Sequence, residues 1–198
     1  PPWWGDAAGG ATRPRLRGAD KGRGRSQENG VITGGVSDRG EEHGGPINPL
    51  VDQRIEVSRG PATLRDGSGW IGGVVSAENN RVPTFISANG VQGQVTSGYS
   101  TVDNGRLGAA TVDAGGDGIA VHADGFRTAA DNYAIPGGVQ RNSYNESQGG
   151  AFSISASGDR GFAGISFSHY DAIYAIPGGV AEQDRTRLTP NQDRVLSR

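Results

Sequence analysis

The chain has 198 residues, 33% of them hydrophobic, 35 glycines and a formal net charge of -2. Glycine stands far above its usual share of about 7% and shows no Gly-X-Y period, which excludes collagen and favours a β-rich chain with many turns over a large compact core. The small net charge excludes a global attraction to nucleic acid or anionic surfaces, and the absence of cysteine excludes disulfides, thiolate metal sites and cysteine nucleophiles. No apolar run approaches about 18 residues, so no transmembrane helix is expected, whereas membrane strands of about 10 alternating residues remain open. The chain lacks methionine, and Pro1-Pro2-Trp3-Trp4 shows no signal-peptide pattern, so a fragment or a processed start is expected.

In chain order, residues 54–57 (Arg-Ile-Glu-Val) alternate polar with β-branched side chains before Arg59-Gly60-Pro61, which predicts a short strand ending in a turn. A single helical turn is expected over residues 62–64 and a second short strand over residues 71–75. Composition changes near Pro83, which places a domain boundary between residues 1–83 and 84–198. Beyond it, Val91, Gly93, Val95 and Tyr99 share one parity and Gln92, Gln94 and Thr96 the other, the pattern of a strand with one apolar and one polar face.

Four further strands are expected over residues 106–114, 119–128, 150–157 and 163–168. Turn signals at Asp103-Asn104-Gly105, residues 115–118 and residues 158–161 separate them, with a long loop over residues 130–148 and a long tail from Asp171. Short turns on one side and long loops on the other fit a transmembrane barrel, with the serine-rich parity facing a wet lumen and the Phe/Ile/Val parity facing lipid. The segment Tyr133-Ala134-Ile135-Pro136-Gly137-Gly138-Val139 returns at residues 174–180, which predicts that both copies lie on one rim.

Isolated motifs are weak. Residues 67–72 fit a dinucleotide fingerprint formally, but a β-branched run follows where a helix is required. Six basic residues between Arg13 and Arg25 lack interleaved aromatics, which argues against nucleic-acid binding. Ser37, Asp38 and His43 share one loop without a nucleophile elbow, so no hydrolase triad is read from them. Asp38, Glu41, Glu42 and His43 together offer oxygen and imidazole ligands for a divalent metal such as zinc, with a solvated acidic loop as the plain alternative. His122 and His169 read as ordinary strand residues.

Residues 54–64, Gly67-Ser68, residues 71–75 and residues 79–83 (Asn-Asn-Arg-Val-Pro) resemble the plug-end signature of TonB-dependent outer-membrane receptors. Residues 17–20 and 28–31 resemble the preceding plug strands, so the likeness covers nearly the whole chain. It implies an all-β fragment of a plugged transmembrane barrel: the end of a small α/β plug over residues 1–83, then the first ~5 strands of a ~22-stranded barrel over residues 84–198. It also implies residence in the outer membrane, contact with its lipid, energy from the TonB complex through a region absent here, no required cofactor, no bound nucleic acid and no enzymatic activity.

Within that family Val36-Ser37, residues 40–43 and residues 46–50 resemble the plug loop of the zinc-uptake branch, which points to Glu42 and His43 as ligands for transported zinc or another metal. Glu42 stands where Asp is usual, Asp66 where an aromatic is usual, and Trp70 where a small residue is usual. The expected function is uptake of a metal ion or metal chelate, zinc or a siderophore. The alternative is a soluble secreted β-rich binding module whose Phe152/Ile154 face would pack on a second sheet.

Overall fold

Because neighbouring strands are joined by short turns, most of the fold is a meander whose register the turns set. The structure, a computed structural model, describes residues 3–4, 14–15, 24–32, 54–58, 73–79, 81–83, 90–159, 161–175, 177, 185–188 and 191–197. Its strands are β1 (Trp3–Trp4), β2 (Pro14–Arg15), β3 (Gly24–Glu28), β4 (Val31–Ile32), β5 (Arg54–Ser58), β6 (Gly73–Glu78), β7 (Val91–Ser100) and β8 (Gly105–Gly116). They continue as β9 (Ile119–Ala130), β10 (Ala134–Ile135), β11 (Gly138–Val139), β12 (Asn145–Gly158), β13 (Gly161–Ala175), β14 (Arg185–Leu188) and β15 (Asn191–Ser197).

None of the described residues is helical, and the helical turn expected over residues 62–64 lies outside them. The amino-terminal part shows a sheet of order β4-β3-β6-β5, in which β3 runs parallel to β6 and the other pairs are antiparallel. Asn29 and Gly30, both with positive φ, make the two-residue turn between β3 and β4. Mirror-image turns of this kind match the twist of the strands they join, and Asn-Gly is the pair that adopts them at least cost. Val74, Val75 and Ala77 of β6 are buried and form the centre of this sheet.

The larger sheet has seven strands in the order β14-β13-β12-β9-β8-β7, with β15 also on β13. Every pairing in it is antiparallel. Asp117 and Gly118 turn β8 into β9 with positive φ at both positions, which fixes the partners Asp113↔His122 and Thr111↔Asp124. The strands expected in this sheet are all present, each somewhat longer than its alternation suggested and two of them by five residues or more. Residues 145–148 extend β12 into the expected long loop, and residues 171–175 extend β13 into the expected tail. The tail then returns along β13 in two pieces, β15 against residues 163–169 and β14 against residues 172–175.

The remaining loop, residues 131–144, holds the β10–β11 hairpin. Asn132 ties it down, its Oδ1 accepting from the backbone N–H of Ser143 at 2.8 Å and of Tyr144 at 3.1 Å. The first copy of the repeated heptapeptide builds this hairpin, whereas the second begins as the end of β13. Asn145 pairs with both Ala130 and Tyr174, so the two copies start at the same rim.

The two faces of the large sheet differ as the alternation predicts. One carries Val91, Val95, Val112, Ile119, Phe152, Ile154 and Phe167, all exposed, and one row across it reads Val91, Ala114, Val121, Ile154, Ile165. The other buries Ala120, His122, Phe126, Ala151, Ser153, Ser155 and Ser166. Phe126 lies across Gly149, where a Cβ would meet its ring at 2.8 Å, and its ring centroid is 5.8 Å from that of Tyr170.

Candidate functional site

The polar face of the large sheet meets the end of the small one at a chain of charged groups. His122 stands on β9 between two carboxylates: its Nδ1 is 2.8 Å from Asp113 Oδ1 on β8, and its Nε2 is 3.0 Å from Asp124 Oδ2 two residues along β9. Period-two geometry puts His122 and Asp124 on one face, and the Asp117-Gly118 turn puts Asp113 opposite His122. Carboxylates only accept, so a ring carrying both N–H groups satisfies both neighbours. Gln92 of β7 donates to the other Asp113 oxygen at 3.1 Å.

From Asp124 the network leaves the sheet. Arg81 Nε is 3.2 Å from Asp124 Oδ2, and another Arg81 nitrogen is 2.7 Å from Glu28 Oε1 at the end of β3. Asn79 also donates to Glu28 Oε1, and Asn29 and Asn79 join through their side-chain amides at 2.6 Å. The side chains of His122 and Asp124 are 2% and 1% exposed, so these charges are screened by one another and hardly by water. Next to them the Ser155 hydroxyl donates to the Pro83 carbonyl at 2.5 Å, and a Cβ at Gly164 would lie 2.6 Å from the Val82 side chain. Residues 81–83 therefore seat against β9, β12 and β13 by charge, hydrogen bond and shape together.

Asp124 Oδ1 and Ser153 Oγ are buried without a hydrogen-bond partner among the described residues. No group of three or more His, Asp or Glu side chains among the described residues is arranged to hold a metal ion. Both His122 nitrogens are engaged by carboxylates, which leaves neither available as a general base. Through Arg81 the cluster links Glu28 of the small sheet to Asp124 of the large one.

Residues 4–74 match the family model of the TonB-dependent receptor plug domain. The solved structure of the copper transporter OprC overlays with a TM-score of 0.78 at 18% identity, covering 98% of this chain and 29% of that one. The chain has the fold of a plugged TonB-dependent receptor, in part. The FrpB iron transporter of Neisseria meningitidis aligns at 15% identity and TM-score 0.69, over 87% of this chain and 28% of that one. The siderophore receptor PirA of Pseudomonas aeruginosa aligns at 22% identity and TM-score 0.53, over 94% of this chain and 36% of that one. The chain thus spans about a third or less of the receptors it matches. Of the small sheet, β3, β4, β5 and the first two residues of β6 fall within the plug-domain match.

Asp38, Glu41, Glu42 and His43 lie outside the described residues, as do residues 67–72. His169 sits on the apolar side of the wall at the row of Val95 and Ala110. His122 is no ordinary strand residue but the centre of the cluster. One signal for it was present: His122 and Asp124 share a parity, and counting back through the Asp117-Gly118 turn brings Asp113 opposite His122. Arg81 and Glu28 had no such signal, because no turn or ladder links them to β9.

Proposed function

We propose that this chain is part of an outer-membrane receptor that takes up a metal ion or metal chelate using energy supplied by the TonB complex. The observation that carries the reading is the two-faced wall: an apolar face open to the outside, and a polar face on which a plug-domain sheet is fastened. A soluble sandwich would bury Phe152, Ile154 and Phe167, whereas a barrel presents them to lipid. The reaction is translocation, with no bond made or broken in the substrate.

The three compared proteins, a copper transporter, an iron transporter and a siderophore receptor, support a metal or chelated metal as cargo. None of the three names zinc, so zinc stands on the resemblance of residues 36–50 to the zinc-uptake loop. Glu42 and His43, assisted by Glu41 and Asp38, are the proposed ligands: a carboxylate beside a neutral imidazole suits zinc and also copper.

The test is metal-limited growth and metal accumulation in cells that depend on the full-length protein. His43→Ala and Glu42→Gln are expected to lower uptake of the cognate metal while the protein still reaches the outer membrane. Unchanged accumulation of zinc, copper and iron on deletion of the protein would overturn the reading, and unchanged uptake in both variants would remove these ligands from it.

A further inference from the structure

We propose that Asn104 is a site of spontaneous covalent modification, deamidating to aspartate or isoaspartate in the folded protein, and that the change loosens the β10–β11 hairpin from the turn beside it. The sequence holds three Asn-Gly pairs, at Asn29, Asn89 and Asn104. Asn89 lies outside the described residues, so the comparison is between the other two. An asparagine followed by glycine is open to attack by the next backbone nitrogen, because glycine has no side chain to shield that nitrogen from the asparagine Cγ.

The backbone does not separate the two sites, since φ is 48° at Asn29 and 49° at Asn104. The side chains do. Asn29 is clamped at both ends of its amide by Asn79: its Nδ2 donates to Asn79 Oδ1 at 2.6 Å, and its Oδ1 accepts from the Asn79 backbone N–H at 3.0 Å. Asn104 is exposed, and its amide makes two long contacts, accepting from the Tyr99 hydroxyl and donating to Asp131 Oδ2, each at 3.4 Å. Its Cγ is therefore free to turn toward Gly105. The Gly105 N–H already donates to Asp103 Oδ1 at 3.0 Å, so a carboxylate stands where the proton of that nitrogen must go.

In the reaction the Gly105 nitrogen gives up its proton and bonds to Asn104 Cγ, the Cγ–Nδ2 bond breaks, and ammonia leaves with the proton returned to it. Water then opens the cyclic imide at either carbonyl. One water is consumed and one ammonia released, with no change of oxidation state. The product has a carboxylate where an amide had donated to Asp131, so like charges crowd Asp103 and Asp131. Residues 101–104 are what the loop leans on: the Asp131 N–H donates to the Asp103 carbonyl and the Ala134 N–H to the Val102 carbonyl, each at 2.8 Å.

The test incubates the folded full-length protein in outer-membrane vesicles at mildly alkaline pH and locates amide loss by fragment-ion mass spectrometry. Asn104 is expected to convert at least about tenfold faster than Asn29, the scale of breaking two ordinary hydrogen bonds to free the Asn29 amide. In urea the two should agree within about threefold, because the following glycine alone then sets the rate. Asn104→Asp installs one product directly, and a protease should cut it within residues 131–144 several times faster than the parent. Folded-state rates within about twofold of each other would overturn the site, and so would a ratio in urea as large as in the folded protein. Unchanged proteolysis of Asn104→Asp would overturn the effect on the hairpin.

Discussion

Replacing Phe152 with arginine tests the orientation of the wall most directly. Phe152 lies in the row Gly93, Val112, Ala123, Phe152, Phe167, within the apolar band, and is 56% exposed. A phenylalanine side chain carries about 200 Å² of surface, so roughly 110 Å² of it would face lipid, and at about 25 cal/mol per Å² truncation to alanine should cost about 3 kcal/mol. A cation placed near the middle of the bilayer adds about 2–4 kcal/mol, which brings Phe152→Arg to about 5–7 kcal/mol. Two rows toward the loop rim, where Ser97, Gly108, Arg127 and Gln148 stand in line, a charge is already native. Arg127→Leu should accordingly change stability by less than about 1 kcal/mol, since it breaks only an exposed pair. The assay is urea unfolding of the full-length protein folded into phosphatidylcholine vesicles, followed by tryptophan fluorescence. A Phe152→Arg cost below about 0.5 kcal/mol would refute the assignment of this face to lipid. So would a parent protein that stays folded and monodisperse without detergent.

Two further outcomes follow from the packing. Gly164→Ala should destabilise the protein by about 1–3 kcal/mol, because the new methyl would press on Val82 and on Ser155, and Val82→Ala in the same protein should restore part of the loss in the urea midpoint. Asn132→Ala removes the acceptor that holds the N–H groups of Ser143 and Tyr144, so limited proteolysis should cut within residues 131–144 several times faster, with the barrel part otherwise intact.

What could be read from the residues was whatever is local or periodic. Alternation at Val91 to Tyr99 and at Phe152 to Ser157 marked strands and their faces, because a sheet with one apolar and one polar face imposes period two. The Asp117-Gly118 turn carried register as well as position. Residues 145–148 and 171–175 escaped as strand because they lie toward the loop rim, beyond the most regular part of the apolar band. Asn145, Glu146 and Gln148 are polar, so their backbone pairing with β9 and β13 left no mark in hydropathy. The junction was hidden for another reason: Arg81 meets Glu28 and Asp124 across 53 and 43 residues of chain, and no pattern in one sequence encodes a contact of that separation.

The seat under the plug is lined with Ser153, Ser155 and Ser166 rather than with large apolar side chains. Such a surface is wettable. Were residues 81–83 to move off this surface, water could take over the hydroxyls with little loss, since polar groups exchange protein partners for solvent at small net cost. The seat therefore aligns its occupant without gripping it, and the space left behind would be a hydrated conduit rather than a sticky hole that collapses.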